Sequence, residues 1–431
     1  MSDQQLRPGV RLIDLVMLGA GTAIGASIFS VLGPAAQIGG EGILISVMLA
    51  ALPMILFGLV YAFMASALPR TAASFEWQRQ FTHPLIAFGI VWLRILSNAV
   101  VMIVLARVLV SYLGKVVTIP EKPVMLAFFA AVFALNYLGV AIAARTQTIL
   151  MLLLLAAFAV FVAAGVPDLK PQLFAHALTQ GWTPIVAALP LMIQLFLGIE
   201  TTTEVGEEVK DPKRVVPLGL ALAILLTVVV YVAIAFTALS LVGADALAKS
   251  DAPLLTAAEA ALGQWATPLI VTAAVLALSK SMNAVFLVFA RFLFAMGRAG
   301  VLPAVLGKVH PRFGTPHIAT MVAFAASCAG LLLPSSLLFL LLAVNIPTMA
   351  KYAGSCLAAY VVADRHPDIH AQARLRFSRT TVRVLAALGI VAAVVIGSLG
   401  FGTDWKPYAL LAGWLAIGLT YYAVRSRRAV A

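Results

Sequence analysis

The chain predicts an all-α integral membrane protein that crosses the bilayer twelve times. Three observations carry this. Of 431 residues, 62% are hydrophobic and 11% charged, with a mean hydropathy of +1.04, a balance outside that of soluble domains. Apolar runs long enough to cross a hydrocarbon core of about 30 Å recur along the whole chain. The polar segments between them, longest at about 167–183, 243–265 and 362–381, hold no soluble domain.

The predicted spans are about 11–33, 40–66, 84–113, 123–142, 146–166, 184–204, 216–242, 266–298, 318–333, 335–361, 382–400 and 406–424. The first is not read as a removable signal peptide. It lacks a suitably placed small-residue cleavage site and carries Gly33-Pro34. The third holds Arg94 and Arg107 nearer its inner and outer ends, where long side chains snorkel to the interface. In the eighth span, Lys280 lies roughly 20 Å from either end at about 1.5 Å rise per residue. A lysine stem reaches only about 6 Å, so it cannot snorkel from there. Its ammonium must face a polar cavity, pair with a carboxylate or give up its proton. Cys328 and Cys356 fall in spans and imply core packing rather than a disulfide. Lys351, in the tenth span, either snorkels inward, joins a gate or is structural, and Asn98 serves either the site or helix packing. Phe29, Phe196 and Trp182 are apolar or interfacial unless they cap a site.

The net charge of +12 is not a nucleic-acid signal. With the N-terminus inside, the cytoplasmic segments hold 19 Lys and Arg, the outer segments five and the spans five. This is the positive-inside asymmetry, and it predicts cytoplasmic N- and C-termini. P-loop, HExxH, paired CxxC and GxSxG motifs are absent, so neither an enzyme nor a cofactor or metal is expected. No channel filter motif is present either.

Two spans carry features that interrupt helices. The first contains Gly19-Ala20-Gly21-Thr22-Ala23-Ile24-Gly25-Ala26-Ser27-Ile28-Phe29. Each glycine costs a helix about 1 kcal/mol. The stretch either unwinds, freeing N–H groups for an anion and carbonyls for a cation, or packs closely against another helix. In the sixth, Gly198 stands beside Glu200 and Thr201-Thr202-Thr203. These two spans are five helices apart, the pattern of an inverted-repeat transporter. The organisation expected is one permease domain over 1–431, with repeats at about 11–166 and 184–361 and two C-terminal helices at about 382–424.

Gly25-Ala26-Ser27-Ile28-Phe29 resembles the first-helix signature of the amino acid–polyamine–organocation superfamily. Phe196-Leu197-Gly198-Ile199-Glu200 through Glu207-Glu208-Val209-Lys210-Asp211-Pro212 is similar to its sixth helix and following loop. Ser281-Met282-Asn283-Ala284 with Ala290-Arg291-Phe292 to Pro303 resembles its eighth helix, and Leu68-Pro69-Arg70 to Ser74 the loop after its second. The resemblance implies the leucine-transporter fold, a 5+5 inverted repeat with helices 1 and 6 discontinuous, and alternating-access transport of amino acids or related amines.

By the same resemblance, N–H groups around Ala23, Ile24, Gly25, Ala26 and Ser27, with Thr22 beside them, hold a substrate carboxylate. Carbonyls near Ala20, Phe196 and Ile199 hold its ammonium, with Gly198 opening the sixth-helix break. Ser27 replaces a common family glycine. Glu200 is either a proton-linked gate, a contact to the substrate amine, or a structural partner of the broken helix. Glu207 and Glu208 are expected in loop ion pairs with Lys210, Lys213 and Arg214, and Arg291 as structural. Many sodium-independent members place a lysine on the fifth helix, where this chain has Leu154. Lys280 aligns instead with an eighth-helix hydroxyl that ligates sodium in sodium-coupled relatives, with Ser279 beside it. Lys280 is then either a proton carrier or a fixed charge.

The expectation is a secondary transporter of amino acids in the cytoplasmic membrane, sodium-independent and either proton-coupled or exchanging. Its partners are a small-molecule amino acid or amine, protons and lipid, without nucleic acid. The alternatives are a polyamine or amine transporter, and a non-transporting nutrient sensor, whose mark is a sizeable cytoplasmic interaction domain.

Overall fold

The computed structural model describes residues 9–25, 27–114, 116–170, 178, 181–250, 252–332, 337–398 and 405–430. The first half comprises α1 (Leu12–Ala23), α2 (Ser27–Ser30), α3 (Leu32–Gly39), α4 (Ile43–Ala67), α5 (Ala73–Phe81), α6 (Pro84–Leu113), α7 (Glu121–Leu138) and α8 (Val140–Gly165). After it come α9 (Trp182–Ile193), α10 (Pro212–Lys249), α11 (Pro253–Leu262), α12 (Ala266–Arg298), α13 (His317–Ala329) and α14 (Leu337–Arg365). The chain closes with α15 (Pro367–Gln372), α16 (Arg379–Ser398) and α17 (Lys406–Val430). Among the described residues there is no strand, only isolated bridges at Val10–Val209 and Thr71–Val205.

Nine of the described helices are long and apolar enough to cross a membrane, or ten if the pair Trp182–Leu189 and Leu191–Thr203, bent by 44°, is one span. The other two predicted spans, 318–333 and 335–361, coincide with the shorter apolar helix His317–Leu332 and with α14. The fourth and fifth spans part earlier than their hydropathy indicates, at Gly139, whose φ of 149° is open only to glycine. Large apolar side chains such as Leu52, Leu153, Leu225 and Val391 stay exposed. Polar ones, including Asn98, Glu200 and Lys280, are buried. This inversion of the soluble pattern is what a lipid solvent demands, and the chain is a multi-pass membrane protein.

Local sequence sets the ends that matter for the site. Asp14 starts α1 by accepting from the Arg11 backbone N–H at 3.2 Å and from Arg11 Nε at 3.0 Å. α1 stops at Ala23, where Ile24 leaves the helical region with φ −75° and ψ 71°. α9 runs into a tight turn at Gln194–Phe196, then Leu197 is extended and Gly198 left-handed, before a second tight turn at Ile199–Thr203. α1 packs on α10, α8, α12 and the Ile199–Thr203 turn, so both irregular segments meet inside the bundle. α6 closes the other side, against α12 and α14.

Candidate functional site

The two irregular segments are held together by their own polar groups. Thr22 Oγ1 donates to Leu18 O at 2.7 Å and lies 3.0 Å from Thr201 Oγ1, so Thr201 is the donor between them. Ser27 Oγ donates across to Gln194 O at 3.2 Å. Tyr231 OH caps Ala23 O at 2.7 Å. Gly198 is required twice over, by its φ of 102° and because an added Cβ would lie 2.5 Å from Thr22 Cγ2. At Gly25 an added Cβ would lie 2.7 Å from Ser281 Oγ.

Between these segments and α6, α12 and α14 lies a cavity of about 140 Å³. Of the residues singled out in the sequence, Thr22, Ala23, Gly25, Ser27, Gly198 and Glu200 line it. Ala20, Ile24, Phe196 and Ile199 do not: all four are buried behind it. Ala20 O accepts from Ile24 N–H at 2.8 Å, and Gly25 N–H donates to Ala23 O at 2.8 Å, so these two turn N–H groups are satisfied within the chain. Phe196 packs edge-on against Tyr231, 5.8 Å between ring centroids. Ala26 lies outside the described residues.

One end of the cavity is ionic. Lys351 Nζ lies 2.5 Å from Glu200 Oε1 and 3.8 Å from Glu204 Oε1. Glu200 Oε2 accepts from Tyr352 OH and, at 3.1 Å, from Gly198 N–H. Glu204 accepts from Ser74 Oγ at 2.6 Å and Ser74 N–H at 3.2 Å. Lys351 therefore neither snorkels nor stands apart; it ties α14 to the broken segment. Arg94 also differs from the snorkelling expected of it. It is buried, lines the cavity with Asn98, and donates from Nη1 to Thr348 Oγ1 at 2.7 Å and from Nη2 to Asn98 Oδ1 at 2.8 Å.

Lys280 lies behind the cavity, against the end of α1. Its Nζ donates to Gly21 O at 2.6 Å and to Ile24 O. Ser281, not Ser279, is the neighbouring hydroxyl in the cavity wall, and it donates to Gly21 O at 3.0 Å. Successive helical residues are about 100° apart, so two positions place these serines on nearly opposite faces. Among the described residues no carboxylate pairs with Lys280. Leu154 is fully buried on α8, which packs on both α1 and α12.

A second ionic layer seals the face that carries residues 9–14. Arg291 binds Glu208 through Nε and Nη2 at 2.9 and 3.0 Å, with both side chains buried. Arg298 binds Glu207 through Nη1 and Nη2, each at 2.9 Å. Glu208 O accepts from Gly9 and Val10 N–H at 2.9 and 3.0 Å, and Ala72 N–H donates to Glu204 O at 2.8 Å. The acids thus pair with α12, not with the nearby Lys210, Lys213 and Arg214. Burial tends to raise the Glu207 carboxyl, but the Arg298 hydrogen bonds and charge, the Thr71 N–H and Arg70 outweigh it and hold it below its usual 4.5.

The sequence model of the amino acid permease family matches residues 11–417. The branched-chain amino acid permease BcaP of Bacillus subtilis strain 168 is 26% identical over 453 aligned residues, covering 99% of this chain and 94% of the relative. The methylthioribose transporter of the same organism is 26% identical over 441 residues, with coverages of 96% and 92%. An uncharacterized transporter of Mycobacterium bovis is 30% identical over 332 residues, with coverages of 75% and 74%. With a family match over nearly its whole length, this chain belongs to the amino acid permease family of the amino acid–polyamine–organocation superfamily.

Proposed function

We propose that the protein is a secondary transporter that carries amino acids across the cytoplasmic membrane by alternating access, without sodium. The observation that carries this is the cavity between the irregular segments at Ala23–Gly25 and Leu197–Gly198, walled by Thr22, Gly25, Ser27, Gly198 and Glu200. Backbone of this kind is tolerated at membrane depth only where it lines a cavity or is buried in protein. Its donors and acceptors at fixed separation suit a zwitterion. In this reading the substrate carboxylate faces the wall formed by Thr22, Gly25 and Ser27, and the ammonium the wall formed by Gly198. Twelve spans in a 5+5 inverted repeat, helices 1 and 6 discontinuous, and cytoplasmic termini complete the reading. The commitment of Glu200 to Lys351 and Tyr352 weighs against a simple amine carrier, which needs an available counter-ion.

Lys280 supplies the coupling site. Its ammonium takes the Gly21 and Ile24 carbonyls that a bound sodium would need, so transport couples to protons or to exchange of a second substrate. The Glu208–Arg291 and Glu207–Arg298 pairs act as the latch that opens when the cytoplasmic side is exposed. The test is a ligand-stabilisation screen of the purified protein across amino acids and polyamines. A ligand that binds only the folded state raises thermal stability with its excess over Kd. Stabilisation by one or more amino acids is expected. Stabilisation by polyamines alone would replace this reading with the amine carrier.

A further inference from the structure

Arg94 makes no direct ion pair with the protein around it, although Glu200 and Glu204 lie near enough for their charges to act on it. It is 9% exposed and its neighbour Asn98 1%. Besides Thr348 and Asn98, its one further acceptor is Ser97 Oγ at 3.4 Å, so every partner is a neutral oxygen. Arg94 Nε has no partner, and neither has Asn98 Nδ2. Arg291, fully buried, shows how this chain treats a structural arginine: Glu208 meets it with both carboxylate oxygens. Among the described residues no carboxylate lies within ion-pair distance of Arg94. Glu200, which lines the cavity, and Glu204, which does not, are committed to Lys351, Tyr352 and Ser74. A buried, unpaired guanidinium is costly, and its planar fork matches a carboxylate.

Both residues line the cavity, one helical turn apart on α6, next to the apolar Val101, Val104 and Leu105. We propose that Arg94 and Asn98 form the side-chain subsite of this cavity and that it takes a carboxylate, so the transported amino acid has an acidic side chain. This rests on the amino-acid transport reading above. The orphaned Nε and Nδ2 donors supply the hydrogen bonds, and the valine and leucine side chains cover the methylenes between the two carboxylates. The main-chain groups of the substrate remain at the Gly25 and Gly198 breaks, on the opposite wall from α6.

The test compares two near-isosteric pairs, glutamate with glutamine and aspartate with asparagine, by displacement of bound labelled amino acid from the full-length protein in detergent. The unmutated protein should prefer the acid of at least one pair by roughly 10- to 100-fold, the range for hydrogen bonds to a charged group. Arg94→Gln should collapse that ratio to about one. Asn98→Asp, which supplies a carboxylate from within, should raise thermal stability while lowering affinity for the acid, and it keeps the test decisive if Arg94→Gln fails to fold. Neutral amino acids binding as well as or better than the acids would overturn the acidic subsite and leave the transport reading standing. Binding of no amino acid would overturn both. An Asn98→Asp protein of lower stability and unchanged acid affinity would also overturn the subsite.

Discussion

Exchanging Lys280 for serine should turn a sodium-indifferent protein into a sodium-responsive one. The Lys280 ammonium is 2.6 Å from Gly21 O and also bonded to Ile24 O. A sodium ion using those carbonyls would lie within about 4 Å of Nζ, where two unit charges repel by about 4 kcal/mol at an effective dielectric of 20. That is nearly three decades in ion affinity. Serine removes the charge and adds a hydroxyl beside Ser281 Oγ, which already bonds Gly21 O, leaving a set of oxygens suited to a hard cation. The assay is amino acid uptake into proteoliposomes with sodium or with choline outside. The unmutated protein should show equal rates in both. Lys280→Ser should be stimulated by sodium, and Lys280→Ala should lose activity or change its pH profile without that stimulation. A strict sodium requirement in the unmutated protein would refute the reasoning, because it would place an ion where the ammonium already sits.

Glu208→Ala leaves Arg291 fully buried without its acid, and loss of one partner of a buried pair costs about 3–5 kcal/mol; a clear fall in thermal stability should follow, and an unchanged melting curve would show that the pair is not a latch. Gly198→Ala sets a side chain at φ 102° and against Thr22, so substrate binding should be lost from a protein that still purifies as a folded species, whereas unchanged affinity would remove the break from the site. Because Glu207 is held below its usual 4.5, its pairing with Arg298 contributes fully above that value and is lost as pH falls through the lowered one. The stability difference between Glu207→Gln and the unmutated protein should therefore shrink on acidification below about pH 4.5, read from thermal melts, and a difference that grew there would reverse the sign of this assignment.

The membrane class was legible because hydropathy, written in local sequence, reports how deep a residue lies. The glycine cluster at 19–25 says less: α1 stays helical through Gly19 and Gly21 and leaves the helical region only at Ile24. Direction around the helix is another matter. On α6 the i, i+3, i+4 spacing of Arg94, Ser97 and Asn98 marks one polar face, but the spacing does not say whether that face turns into a cavity or toward a neighbouring helix. Likewise Ser279 and Ser281 are interchangeable by hydropathy and differ only in facing. Pairings across long stretches of chain were also hidden. Lys351 meets Glu200 from 151 residues away, and Glu207 and Glu208 pair with Arg298 and Arg291 of α12, 91 and 83 residues on, rather than with the lysines beside them. Conversely, the position of Lys280, mid-span and beyond snorkelling reach, was enough to mark a polar neighbour. The identity of that neighbour, two carbonyls of α1, needed the fold.

The most direct test of the central claim is counterflow. Proteoliposomes loaded with a saturating unlabelled amino acid, in choline buffer, are given a trace of the same amino acid labelled outside. An alternating-access carrier with its site at the Gly25 and Gly198 breaks predicts transient accumulation of label above equilibrium, abolished in Gly198→Ala. Absence of accumulation for every amino acid that binds the purified protein would contradict the account.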